Sequence, residues 1–440
     1  MRSIIIDGFS NFDLENIVNN APFDKIFYIG EPSECLQNIP NVVCYNCYDL
    51  PVGIYPHNFF ETEPLDEEII KKFYSCESIV MKMFERNDFW FQASFNQRKE
   101  WYFMHLRYWY HMIHIYNCVC FMKSNFAHEV YDYVIYAIMK ERGGRCFFFS
   151  QLSFMNRFIL EEDIFTYPRL NEYLKQCSFE VEINSEVRKY LEEKRLPAKD
   201  TKDVFQVIEK KRGIVKNQHK IITVYNKKYA ETPVPGETYY FVALHMQPEM
   251  TTSPLAGQFV YQELIIELLD FYLPNHIFIY IKEHPAQTTV GRSFDFYKRF
   301  YNRKRIRFIK TNVNSRILAD NALAVVTCTG SIGWEALIRC KPVLLFGNFF
   351  YETAPGCFLV KNKKDLCAAV KSISDGINID KTEIDLFFQK VYNYSFFGYV
   401  DTACASLLSI SEEQNNNNVL NLIQEKIYRC FNTTGSYYVN

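Results

Sequence analysis

Three short stretches carry residue types that could hold a phosphate ester while it is made or broken. In VVTCTGSIGWEALIRCKPVLLFG, Val325 to Gly347, an apolar run stops at Thr327. Thr329-Gly330-Ser331 then make a hydroxyl-bearing turn, and Trp334 to Ile338 begin a helix. The first amides of a helix have no partner inside it and carry partial positive charge, so an anion set against Thr329, Gly330 and Ser331 would satisfy both. Glu335, one turn in, is placed to accept from ribose hydroxyls. The plainer alternative is an ordinary strand-turn-helix crossover with a glycine turn. In HIFIYIKEHPAQ the alternating run Ile277 to Ile281 ends in His284-Pro285: the imidazole can contact a phosphate oxygen, Pro285 stiffens the loop, and Lys282 and Arg292 add positive charge. A histidine in a loop also serves commonly as a local hydrogen-bonding residue. The third stretch, LHMQPEMTTSPLAG, follows the strand TYYFVAL and precedes the helix QFVYQELIIELLDFYL. Ligands of open parallel sheets sit beyond the carboxyl ends of the strands, so these three strand tips could line one crevice.

A fourth polar loop, Ser124 to His128, follows the run Cys118 to Lys123 and leads into a helix over Glu129 to Arg142. His128, Glu129 and Asp132 are candidates for recognising an incoming acceptor or for general-base work, since an attacking hydroxyl must lose its proton. Acidic residues favouring a helix N-terminus are the alternative for Glu129 and Asp132. His105, His111 and His114 lie among large rings in WYFMHLRYWYHMIHIY with no carboxylate at helical spacing, which favours packing or a subunit contact over a metal site. Cys44 and Cys47 form a C-x-x-C with no second pair at zinc spacing. No metal and no cofactor are expected.

Elements able to position these residues follow from periodicity. Ser3 to Ile6, Lys25 to Ile29 and Val42 to Tyr45 read as strands, with a helix over Phe12 to Asn19. Leu65 to Asn87 and Asn96 to Tyr116 read as helices, and Cys146 to Ser150 as a further strand. Asn171 to Arg212 is charged and helical in pattern, and Pro233, Pro235 and Gly236 mark a linker. Strand and helix then alternate to about Ile373. Gln414 to Asn418 read as a polar bridge to a last amphipathic helix, Val419 to Phe431.

Composition limits the class. The 440 residues exceed one ordinary core, and 48% hydrophobic with 23% charged residues describes a soluble globular chain. A formal net charge of -2 argues against a dedicated nucleic-acid binder, and runs such as Lys210-Lys211-Arg212 and Arg303-Lys304-Arg305 read as solvated faces. The 14 cysteines, scattered in a long chain, point to a reduced, cytoplasmic compartment. No signal peptide and no transmembrane run is read, so any membrane contact would be peripheral.

HMQPEMTTSPLAGQF, KEHPAQ with Gly291-Arg292, and CTGSIGWEALIRCKPVLLFG with Tyr351 and Gly356 together resemble the capsule polysaccharide biosynthesis proteins, most strongly over residues 240–360. That superfamily includes the β-Kdo transferases that build a lipid-linked capsule linker. SNFAHEVYDYVIYAIMKERGG also looks like its N-terminal His-x3-Asp stretch. The resemblance implies an α/β GT-B fold, two Rossmann-like domains facing across a cleft with added helices. Residues 1–232 would form the domain on the acceptor side, 233–375 the nucleotide-sugar domain, and 376–440 a helical segment able to cross back. It implies a metal-free glycosyltransferase of surface or capsular polysaccharide synthesis, with a nucleotide-sugar donor, a CMP-sugar favoured, and a glycan or lipid-linked acceptor. Peripheral contact with the inner membrane or other capsule-assembly proteins would accompany that role. His284 and the Ser/Thr-rich turn would hold nucleotide and phosphate, Glu249 and His245 would lie nearest the sugar, Tyr351 would close over it, and Gln247 and Arg292 would contact donor or acceptor. Kdo transferases of the superfamily carry an Asp soon after a Gln in this loop, whereas Gln247-Pro248-Glu249 offers a glutamate at another spacing. The class is therefore carried over and the donor left open. A nucleotide-sugar epimerase and a non-catalytic scaffold of the same fold are the alternatives.

Overall fold

A computed structural model describes residues 1–55, 57–89, 92–177, 181–197 and 220–432, so the run Lys210-Lys211-Arg212 lies outside the described residues. The strands are β1 (Ser3–Asp7), β2 (Lys25–Gly30), β3 (Val42–Asn46), β4 (Cys118–Lys123), β5 (Arg145–Gln151), β6 (Arg157–Glu161), β7 (Ala230–Glu231), β8 (Tyr239–Ala243), β9 (Phe278–Lys282), β10 (Ile306–Ile309), β11 (Ala324–Thr327), β12 (Val343–Leu345), β13 (Cys357–Leu359) and β14 (Phe396–Phe397). They form two seven-stranded sheets, in the orders β14-β6-β5-β4-β1-β2-β3 and β13-β12-β11-β8-β9-β10-β7. The fold class is α/β, as expected.

Contacts divide the chain into one compact unit of Met1–Arg169 with Asn393–Asn440 and another of Leu170–Tyr392. Residues before the Pro233-Pro235-Gly236 linker therefore count with the second sheet. The reason is local: Tyr225, fully buried, donates its hydroxyl to the carbonyls of Ile281 (3.1 Å) and Ile309 (2.7 Å), and β7 pairs with β10.

The second sheet is parallel throughout. Its central strands are buried on both faces, which is why YYFVA and AVVT read as unbroken apolar runs; in FIYIK, where the sequence suggests alternation, Ile279 to Lys282 are all buried. From β8 the chain winds out through β9 and β10 on one side, then returns to place β11 on the other. The strand order thus reverses between β8 and β11, and crevices for ligands open beyond the carboxyl ends at such a point.

The first sheet reverses likewise between β1 and β4. Helix Phe95–Ile115 starts at a capping box in which Ser94 and Gln97 bond each other's backbone, and its Tyr102, His105, Leu106 and Trp109 are buried. His105 is a core residue: its Nδ1 lies 2.7 Å from the Tyr55 hydroxyl, and burial lowers its pKa to about 3. β6 has no counterpart in the periodicity reading. It pairs antiparallel with β5 through a turn carrying two positive-φ residues, Met155 (φ 52°) and Asn156 (φ 49°), where Asn-Gly would have announced a hairpin. The polar run after Gln414 is helical, not a bridge. Ser411 caps helix Glu412–Leu422, and the buried Asn415 side chain accepts from Tyr399 N (2.8 Å) and donates to Tyr399 O (2.9 Å).

Candidate functional site

At the reversal point of the second sheet, the loops after β8 and β11 are joined through His245. Thr329 N–H donates to His245 Nε2 at 3.2 Å, and a backbone amide can only donate, so this nitrogen is the acceptor of the ring. The Thr327 hydroxyl, 2.9 Å from the same nitrogen, must then donate to it, leaving Thr327 Oγ1 to accept Gly330 N–H at 3.1 Å. His245 Nδ1 carries the proton and faces Thr251 Oγ1 at 3.4 Å. Burial, with the charges of His284 and Arg292, lowers the pKa of His245 to about 3. A neutral ring with both nitrogens engaged is a strut, so the catalytic place expected for His245 becomes a positioning one. The Thr329 and Gly330 amides expected for phosphate are spent on this strut, and the Thr329 hydroxyl donates to Thr251 O at 2.8 Å.

A second lock fixes the loops after β8 and β9. Arg292, buried, donates from Nε to Glu283 Oε2 (3.0 Å), from Nη1 to Gln247 Oε1 (3.0 Å) and from Nη2 to His245 O (3.0 Å). Glu283 is also buried and accepts from the Tyr297 hydroxyl at 2.7 Å and from His284 N–H at 2.9 Å. Gln247 spends its side-chain nitrogen on Val260 O, while its backbone N–H donates to Gln287 Oε1 (2.9 Å) and its carbonyl accepts from Gln287 Nε2 (2.8 Å). Arg292 and Gln247 were expected to touch donor or acceptor, but the structure uses both to shape the loop. Glu283, Tyr297, Gln262 and Gln287 escaped the sequence reading, although Glu283 stands directly before His284.

The lock leaves no room at Gly291, where a Cβ would fall 2.1 Å from Gln247 O and 2.3 Å from its carbon. Gly291→Ala should cost about 2 kcal/mol through forced backbone shift. Chemical denaturation reads this directly, and an unchanged midpoint would count against the close approach.

What remains open to a ligand is smaller than expected and sharply placed. Helix Ser331–Ile338 has Gly330 as its cap residue with no side-chain cap, and Ser331 and Ile332 amides have no partner among the described residues. Ser331 is exposed. His284 Nδ1 accepts from Ala286 N–H at 3.2 Å, which leaves Nε2 as the ring nitrogen able to donate; Pro285 sits between them. Lys282 donates to Ser315 Oγ at 2.6 Å, and Glu335 is ion-paired with Lys194 at 3.2 Å. Tyr351 is fully buried and donates its hydroxyl to Gly330 O at 2.7 Å, which braces the turn from below instead of closing over a ligand. Glu249 is half-buried; its backbone oxygen accepts from Thr252 and Ser253 amides (3.1 and 2.9 Å), while its carboxylate has no hydrogen bond or ion pair among the described residues.

In the first unit, the loop after β4 is held from beneath. Asp132, with no exposure, accepts from the amides of His128 (2.8 Å) and Glu129 (2.7 Å) and pairs with Lys123 at 3.2 Å. It is a loop clamp, not a base. Lys123 also bonds Asp7 at 2.8 Å, and burial with the negative charge of Asp132 keeps the Asp7 carboxyl raised to about 6 despite Lys123. Val130, at φ 77° and ψ -72°, sits in a strained turn closed by Tyr131 N–H on Glu129 O (3.1 Å), a conformation a β-branched residue adopts only when its surroundings impose it. Both nitrogens of His128 face acceptors, the Phe126 carbonyl and Glu129 Oε1 (3.0 Å). Burial would raise the Glu129 carboxyl, yet His128, Arg86 and Lys123 outweigh it and hold it well below the carboxylate range. His128 and Arg86 both face the Glu129 carboxylate, at 3.0 and 3.2 Å. Among the described residues no group of three His, Cys, Asp or Glu is placed to hold a metal ion, and no helix is long and apolar enough to cross a membrane.

Residues 262–357 match the family model described as capsule polysaccharide biosynthesis protein, a segment that holds the His284-Pro285 loop, Arg292, the Thr329-Gly330-Ser331 turn and Tyr351. The Gln247-Pro248-Glu249 loop lies before it. No curated protein matches. Among solved structures, UDP-GlcNAc 2-epimerase of Methanocaldococcus jannaschii aligns at 14% identity over 90% of this chain and 100% of that one, with a TM-score of 0.30. Two KpsC transferase structures of Thermosulfurimonas dismutans align with TM-scores of 0.33: the β-Kdo 2,4 transferase at 13% identity over 61% of this chain and 78% of that one, and the β-Kdo 2,7 transferase at 14% over 72% and 89%.

Proposed function

We propose, from the match of residues 262–357 to the capsule polysaccharide biosynthesis family, that this protein is a glycosyltransferase acting from a nucleotide-sugar donor on a glycan or glycolipid acceptor. The observation that carries the reading is the pair of unspent amides, Ser331 and Ile332, at the start of a helix beside the reversal point of a parallel sheet. As the glycosidic bond breaks, charge grows on the departing phosphate. Fixed amide dipoles and the Nε2–H of His284 stabilise that charge without reorganising. With Arg292 committed to Glu283, Gln247 and His245, the two amides suit a single phosphate, which favours a CMP-sugar over a diphosphate donor. Glu335 would receive the ribose hydroxyls while keeping Lys194. Glu249, whose carboxylate nothing nearby claims, takes the proton of the attacking hydroxyl. His128 and Glu129, in contact with each other on a clamped loop of the first unit, are proposed to read acceptor hydroxyls.

Purified full-length protein is incubated with CMP-, UDP- and GDP-sugars, with and without glycan or glycolipid acceptors, and the products are identified. Acceptor-dependent nucleotide release, lowered about 10²-fold by His284→Ala, is the expected result. Turnover of a sugar nucleotide with no acceptor present would show an epimerase instead, and absence of both turnover and nucleotide binding would leave the scaffold reading.

A further inference from the structure

The loop between β12 and β13, tied to the same turn, carries a carboxylate that no motif had marked. β12 neighbours β11 in the sheet, and Tyr351 ties the loop down through its hydroxyl bond to Gly330 O (2.7 Å). The fit is close: a Cβ on Gly333 would stand 2.3 Å from the Tyr351 hydroxyl oxygen. The next residue is Glu352. Its Oε1 accepts from Asn171 Nδ2 at 3.1 Å, whereas its Oε2 is buried with no hydrogen-bond partner. A buried carboxylate oxygen without a donor is unfavourable, and native proteins keep such atoms where something else supplies the donor.

We propose that Glu352 binds the sugar of the donor, its Oε1 fixed by Asn171 and its Oε2 accepting from a sugar hydroxyl. This rests on the nucleotide-sugar reading above. A carboxylate repels phosphate, so the Ser331-Ile332 anion site is not its target. The ribose, read by Glu335 one turn along the helix, leads the base along the helix. The loop carrying Glu352 is tied to Gly330, the residue before Ser331, through Tyr351, so the transferred sugar is the part of the donor assigned to it.

Electrostatics gives the proposal a second readout. Burial raises the Glu352 carboxyl to about 6, against the Asn171 bond and the Lys361 charge, which lower it. The charged and titratable groups facing it are Lys361, itself lowered by burial, and the thiol of Cys357 on β13, pushed up by burial. Hydroxyl donors favour the ionised carboxylate, so sugar binding strengthens as pH rises through about 6 and weakens below it.

The test is calorimetric titration of wild type and Glu352→Gln with the free nucleotide and with whichever CMP-, UDP- or GDP-sugar the wild type binds, from pH 5 to 7. Glu352→Gln is expected to lower nucleotide-sugar affinity at least about ten-fold while leaving free-nucleotide affinity within about two-fold. Wild-type affinity for the nucleotide-sugar should rise about ten-fold across the window relative to the variant, whose profile lacks that component. Equal affinities for both proteins, or an equal loss for nucleotide and nucleotide-sugar, would overturn the sugar contact and leave the transferase reading intact. Wild-type protein that binds no nucleotide-sugar would overturn both.

Discussion

Glu249→Gln is expected to bind nucleotide as the wild type does, within about two-fold, yet to transfer sugar about 10² to 10⁴ times more slowly. The substitution keeps shape and removes only the ability to take a proton. It acts on a carboxylate free of any ion pair among the described residues, so nothing structural should move with it. Steady-state rates of acceptor-dependent release, together with nucleotide titration, separate the two quantities. A rate within a few-fold of wild type would remove Glu249 from the chemistry and return the question to the His128–Glu129 pair.

Arg292→Ala should destabilise the second unit by about 3–5 kcal/mol, because it leaves Glu283 charged and buried without its cation. Side chains of this pair are 2% and 0% exposed, so water cannot replace the guanidinium. Arg292→Lys should rescue little: one ammonium cannot serve Glu283, Gln247 Oε1 and His245 O in the planar fork that now reaches all three. A double variant with Glu283→Gln should recover part of the loss, since the unpaired charge is then gone. Equilibrium unfolding of the series checks the order, and an Arg292→Ala protein as stable as wild type would mean that the loop finds another arrangement.

His284 and Arg292 illustrate how far local sequence reaches. Both were singled out as positive groups near a phosphate. The His-Pro step keeps its imidazole at the strand tip because its own Ala286 amide, two residues on, fixes the ring. Arg292 is lost to the site because its acceptors lie elsewhere in the chain: Gln247 and His245 precede it by 45 and 47 residues. The same holds for Thr329 and Gly330, whose amides looked available until Thr327 turned toward His245, 82 residues away. Glu352 was silent in sequence for a related reason. A glutamate in FFYETAPG reads as a surface loop residue until the tertiary packing of Asn171 and Tyr351 buries one of its oxygens.

The sequence by itself determined the strand tips. Apolar runs stopping at Thr327 and just before His245, with the alternating run Ile277 to Ile281 ahead of His284, were enough to mark strands, because burial on both faces demands apolar residues on both. The Thr-Gly-Ser turn, read from neighbouring residues alone, does lead into a helix, which starts at Ser331 rather than at Trp334. Only the tertiary structure decided which polar groups remain for a ligand. Hydrogen-bond donors and acceptors are finite, and competition for them is settled among residues far apart in the chain. It left Ser331, Ile332, Glu249 and one oxygen of Glu352 unclaimed while spending Thr329, Gly330, Gln247 and Arg292 on the frame.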